Sequence, residues 1–268
     1  MDTNEKMALL EVISQRNKEI LLKAPIPQKT QSYTPIPHGE IMVRTEAKIR
    51  EAGFTILSSQ FRSGEDGKIG QANYNLQYGS DPDMGLMVTW QNSYNKTMSF
   101  KYAVGTHVFV CANGMVAGNM GAYKRVHSGT ADHDSFDKIQ QYLANAEETF
   151  QELVVMKNKT KEVELNKKQM AEIAGRWFVQ DNIVTATQLG IIKGEIENPS
   201  FNYGTGNSTM WDLYNAATHS FKKDHPMNWM NRHLNLSKWT VDEFGLSKPE
   251  ATQVFMPPAY EEVFLETN

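Results

Sequence analysis

The stretch LMVTWQNSYNKTMSFKYAVGTHVFVCANGM, residues 86–115, carries the strongest strand signals in the chain and the turns that separate them. Leu86 to Gln91 and Thr97 to Val104 are rich in β-branched and aromatic residues, which suit a pleated surface. Asn92-Ser93-Tyr94-Asn95-Lys96 between them reads as a turn. His107-Val108-Phe109-Val110 predicts a further strand, and Asn113-Gly114 predicts the turn that follows it. Upstream, Phe54 to Phe61 and Gln71 to Tyr78 flank a turn at Ser63 to Lys68. Links this short join antiparallel neighbours, so an antiparallel meander of about five strands is expected.

Helical periods surround the meander. Residues 4–23 place Leu9, Leu10, Ile13, Ile20, Leu21 and Leu22 at amphipathic spacing, and residues 38–53 form a second helix with Gly53 as its cap. Ala24-Pro25-Ile26-Pro27 and Thr34-Pro35-Ile36-Pro37 between them force extended chain. This arm suits contact with a neighbouring subunit. From about Asp134, Ile139, Tyr142, Leu143, Ala146, Phe150, Leu153 and Val154 predict the longest helix, which covers one face of the sheet. Lys157 to Lys161 reads as a basic link. Shorter helices are expected at Asn166–Phe178, Thr185–Lys193 and Ser208–Phe221, and a last one starts at Thr240, where Thr240-Val241-Asp242-Glu243 has capping-box spacing. The fold class is α+β. The expected division is an arm at 1–37, an α+β core at 38–158, a helical subdomain at 159–240 and an acidic tail at 241–268.

Composition bounds the function. The chain has 268 residues, 40% of them hydrophobic, and a net charge of −4. Its mean hydropathy is −0.51. No apolar run reaches the roughly 18 residues of a membrane helix. The first residues lack a charged-then-apolar leader pattern, so a cytoplasmic location is expected. Cys111 is the one cysteine, which leaves no internal disulfide and no cysteine-built metal cluster. Asp242, Glu243, Glu250, Glu261, Glu262 and Glu266 stand against Lys248 alone in the tail, which makes the preceding body slightly basic.

Four short stretches carry a resemblance. Asn92-Ser93-Tyr94-Asn95-Lys96, Val110-Cys111-Ala112-Asn113-Gly114-Met115, Lys124-Arg125-Val126-His127-Ser128-Gly129 and Trp211-Asp212-Leu213-Tyr214-Asn215-Ala216-Ala217-Thr218-His219 occur in that order. Together they resemble the phage- and plasmid-encoded family catalogued as domain of unknown function 932, over roughly residues 40–235. The resemblance implies a mobile-element protein, and it implies no known reaction.

The residues themselves favour binding over catalysis. The histidines at 219, 225 and 233 are spaced too widely for a zinc site, so no metal and no cofactor is expected. A Cys111–His127 thiolate–imidazole pair is conceivable, but Cys111 follows a buried strand run, where cysteine is usually inert. The glycine-rich Tyr203-Gly204-Thr205-Gly206-Asn207 has no lysine after it and reads as a loop. Three basic clusters remain: Lys124, Arg125 and His127; Lys157, Lys159, Lys161, Lys167 and Lys168; and Lys222, Lys223 and Arg232 beside Trp229. A basic groove with aromatic platforms is what a single strand of nucleic acid requires. The expectation is a non-enzymatic single-stranded-DNA-binding protein, a strand-annealing or recombination factor. It would be homo-oligomeric, as a ring or filament, with Trp229 and Tyr123 stacking on bases and Asn113-Gly114 turning the first cluster outward. The alternative is a protein-binding inhibitor of host defence, or a virion component, that meets its partner through the acidic tail.

Overall fold

The computed structural model describes residues 3–78, 81–110, 113–116, 122–128 and 139–245. Helices α1 (Thr3–Lys23) and α2 (His38–Glu51) precede the sheet. Pro37 stands at the entry to α2, and Gly53, at φ +85°, takes the left-handed conformation that lets the chain leave it. The 24–37 arm folds onto its own chain. Tyr33 and Ile36 are buried, the Tyr33 hydroxyl donates to Tyr94 O (3.2 Å), and Thr34 N donates to His127 O (3.0 Å). The arm thus makes contacts within its own chain.

Strands β1 (Thr55–Gly64), β2 (Ile69–Gln77), β3 (Met84–Ser93) and β4 (Phe100–Val108) form the antiparallel meander. The far edge of β4 is shared by two short strands. β5 (Asn113–Val116) pairs with residues 105–108, and β6 (Ala122–Arg125) pairs with residues 100–103. Two expectations change here. The run at His107 is the end of β4 and not a separate strand. Asn113-Gly114 begins β5, with Val108 opposite Asn113 and His107 opposite Gly114, so this pair lies in a strand and not at a turn. Gly114 is needed for packing and not for a turn: a Cβ there would lie 2.9 Å from the Trp229 ring.

Alternation gives the sheet two unlike faces. Phe61, Tyr74, Trp90 and Tyr102 share one face and are all fully buried. α2 lies over it, with the His38 ring stacked on Trp90 at 6.1 Å. The opposite face carries Gln71, Asn73, Thr89, Gln91 and Lys101, also buried. The outer edge of β1 is closed by α1. Ser14 Oγ accepts from Phe61 N (2.9 Å), and Asn17 Nδ2 donates to Phe61 O (3.1 Å). Edge groups that would otherwise pair with another strand are thereby satisfied.

The helices after the sheet are α3 (Ala146–Glu162), α4 (Lys167–Val179), α5 (Ala186–Glu197), α6 (Met210–Phe221) and α7 (Pro226–Glu243). Residues 139–144 are helical, and Asn145 breaks them from α3. Lys157 to Lys161, expected as a link, are the last turns of α3. Lys157 is 2% exposed because Asp81 and Asp83 receive its ammonium at 2.6 and 2.9 Å. Capping boxes open α4, α5 and α6, at Asn166, Thr185 and Thr209. α7 ends where a last helix was expected to begin. Pro226 occupies its first turn, and Thr240 Oγ1 donates back to Leu236 O (2.8 Å), so Thr240 is a late helical residue and not a cap. One core runs through the sheet and these helices, including Trp177, Trp211, Tyr214, Trp229 and Leu236. The C-terminal helices thus share the sheet's core and close none of their own.

Candidate nucleic-acid interface

The register places five polar residues in one row across the sheet. Arg62 lies opposite Gln71, Gln71 opposite Gln91, Gln91 opposite Lys101, and Lys101 opposite Lys124. The start of α7 and the segment before it cover this row. Gln91 Nε2 donates to Pro226 O, Lys101 Nζ donates to Asn231 Oδ1 (2.7 Å), and Arg62 donates to Asp224 O. Burial lowers the Arg62 pKa, and the Asp224 charge opposes that effect. The row is a polar dock for the α6–α7 junction.

Several of the expected binding residues are committed elsewhere. His127 is 4% exposed, and its Nε2 lies 2.7 Å from Asn92 Oδ1; burial lowers its pKa. It faces the interior and is not presented to a phosphate. Cys111 and His133 lie outside the described residues, as do residues 246–268 of the acidic tail. Trp229 is 5% exposed, seated on Gly114 and against His233 at 4.2 Å, so no base can stack on it. Arg232 Nε pairs with Asp224 at 2.6 Å, and its Nη1 donates to Ile183 O (2.6 Å). Lys161 pairs with Asp83 at 2.6 Å, and Lys168 lies 3.8 Å from Glu172. Arg125 is half-buried, with Phe100 opposite it in β4. Lys124 is placed by its backbone alone. His127, Trp229, Arg232, Lys157 and Lys161 are therefore held within the fold. Asn113 is buried too, and its amide donates to Asn215 O at 3.1 Å.

Lys222 and Lys223 remain exposed, just past the end of α6. Lys222 reaches Phe201 at a cavity of about 580 Å³ in the loop between α5 and α6, lined by Pro199, Ser200, Phe201, Asn202, Gly204, Gly206 and Asn207. Local chemistry shapes this loop. Gly204, Gly206 and Asn207 have φ of +73°, +68° and +59°, a conformation these residues adopt readily. Glu195 accepts from Ser200 N (2.9 Å) and Ser200 Oγ (2.6 Å), and Asp212 accepts from Thr205 Oγ1 and Thr209 Oγ1. The loop is thus anchored at both ends.

Rings and charge meet around Phe201, which lines the cavity. The half-exposed Phe201 lies 5.8 Å from the His219 ring and 6.5 Å from Tyr203, and Lys222 Nζ stands 5.5 Å over its face. Burial, with Lys222 next in effect, lowers the His219 pKa, although Glu195 at 3.8 Å works the other way. A neutral imidazole, two aromatic rings and two exposed ammonium groups can hold a planar ring together with an anion. Sequence reasoning had Lys222 and Lys223 but missed Phe201 and Tyr203. The available signal was the alternation Phe201-Asn202-Tyr203-Gly204 immediately ahead of the helix that ends in those lysines. Among the described residues no group of three or more histidine, cysteine and acidic side chains could hold a metal ion. No described helix is long and apolar enough to cross a membrane.

A family model described as "Domain of unknown function (DUF932)" matches residues 28–243. No curated protein and no solved structure matches the chain.

Proposed function

The chain belongs to the domain of unknown function 932 family, and on its own geometry we propose that it is a non-enzymatic protein that binds single-stranded nucleic acid at the α5–α6 hollow. One observation carries this reading. Lys222 Nζ stands 5.5 Å over the ring of Phe201, which lines a cavity of about 580 Å³ and lies 6.5 Å from Tyr203, and exposed Lys223 follows Lys222 in the chain. Lys222 and Lys223 would take phosphates, while Phe201 and Tyr203 would supply sequence-tolerant stacking. The finer role, pairing of complementary strands in the cytoplasm during recombination, calls for two strands held at once and hence for more than one protomer.

Fluorescence anisotropy with a labelled single-stranded oligonucleotide, titrated at several salt concentrations, tests the reading. Phe201→Ala should weaken binding by about 1–3 kcal/mol. Lys222→Ala with Lys223→Ala should make the log–log salt slope shallower by roughly 1.4, two phosphate contacts at about 0.7 each. Absence of binding at low salt, or affinity unchanged in both variants, ends it. A second reading, binding to another protein, is favoured by Leu9, Leu10, Val12 and Ile13, which stand 46–65% exposed on consecutive turns of α1. Capture of a host protein that survives nuclease treatment would support that reading.

A further inference from the structure

Residues 8–13 of α1 are exposed on every side, and they read Ala-Leu-Leu-Glu-Val-Ile. A helix apolar all round is normally buried. The second half of α1 is seated on β1 through Ser14 and Asn17, and Leu21 is 1% exposed. That fixes the rotation of the helix. At 100° per residue, the side opposite Ser14, Asn17 and Leu21 carries Glu5, Leu9, Val12 and Arg16. These four follow 4-3-4 spacing, the repeat of a helix that packs along another helix. Leu9 is 49% exposed and Val12 65%.

The pattern is its own complement when reversed. Two such helices laid antiparallel about a two-fold axis between residues 10 and 11 set Leu9 against the partner's Val12, and Val12 against the partner's Leu9. The same operation sets Glu5 against the partner's Arg16 at each end. Arg16 makes no ion pair among the described residues, whereas neighbouring Lys18 reaches Glu46 and Lys23 reaches Glu19. The body of each protomer lies behind its own helix, on the Ser14 side, so the two bodies do not collide. We propose that α1 is a self-association helix that joins two copies of this chain in an antiparallel pair. The contact is isologous and closes at two, in place of the ring or filament expected from the sequence. It is independent of the α5–α6 hollow, which it leaves open in both copies. An interface of one short helix pair falls below about 1,200 Å², so the dimer should dissociate in roughly the micromolar range.

Sedimentation velocity on the full chain over a concentration series tests this. The natural chain should pass from monomer to dimer as concentration rises. Leu9→Glu with Val12→Glu should remain monomeric, with its circular dichroism unchanged because both side chains face solvent in the monomer. Glu5→Arg and Arg16→Glu should each weaken the dimer about tenfold by placing like charges opposite one another. Combined in one chain they should restore it. A natural chain that stays monomeric, an assembly larger than two, or a double charge swap that fails to restore dimerisation would overturn the proposal.

Discussion

The Asn92 amide joins three segments that are far apart in the chain. Its Nδ2 donates to Ile36 O (2.8 Å) and approaches His38 Nδ1 (3.1 Å), while its Oδ1 lies 2.7 Å from His127 Nε2. The tautomers follow from these contacts. His38 Nδ1 accepts from Asn92, so its Nε2 carries the proton donated to Gly67 O at 3.0 Å. Replacing Asn92 with Ala would strip partners from groups that are all buried, at about 1–3 kcal/mol for each one left unsatisfied. Urea denaturation should therefore show Asn92→Ala destabilised by at least about 3 kcal/mol, with no accompanying defect specific to oligonucleotide binding. The motifs behind the family resemblance have the same structural character. Asn92 and His127 lock the arm to the sheet, Asn113 reaches Asn215 across the core, and Trp211 stacks on Tyr214 at 6.0 Å. They mark how the chain folds, and the Trp211–His219 stretch also borders the α5–α6 hollow through Asp212 and His219.

At the scale of elements, α3 depends on a charge inside the protein. Lys157 is almost fully buried with Asp81, and Lys161 pins Asp83 beside them. Burial works to raise the Asp83 pKa, but the Lys161 and Lys157 ammonium groups hold it below its usual value. Lys157→Ala would leave Asp81 buried without its counter-charge and should cost about 3–5 kcal/mol, read as a lower melting temperature. The sequence reading went wrong at this same place, because a run of lysines looks like a solvated link when its partners lie about 75 residues upstream. The meander was legible because period-two alternation and short turns are local signals. α7 was not, because His233, Ser237 and Thr240 share its buried face with Trp229, Met230 and Leu236 and interrupt the apolar stripe. Trp229 beside lysines looked like a stacking platform. Only the β5 pairing shows that Gly114 is the surface on which it rests.

Across the whole molecule the buried histidines set a pH limit. Burial, reinforced weakly by His127 and opposed by the Gly67 hydrogen bond, lowers the His38 pKa from 6.5 to about 4; burial lowers that of His233 to about 3. His107 and His127 are lowered as well, again chiefly by burial. Unfolded chains bind these protons first, so stability is complete above about pH 6.5 and falls as the pH drops towards the folded values. His38 alone accounts for on the order of 3 kcal/mol across that window. Thermal melts from pH 7.5 to pH 4.5 should show a falling midpoint, and His38→Gln should flatten the slope. Folding drew Arg62, Lys101, Lys157 and Arg232 inward to hold helices and loops, and left the two lysines after α6 facing outward.

The seal that α1 places on β1 has a consequence for the life of the protein in a cell. Ser14 and Asn17 shield the middle of that strand through three hydrogen bonds to Ser59 and Phe61. A protease that clipped the chain ahead of Ala24 would remove the shield while the remaining strands stayed paired. The trimmed product would then be a folded domain with a raw seam, prone to stack strand upon strand into fibrous deposits.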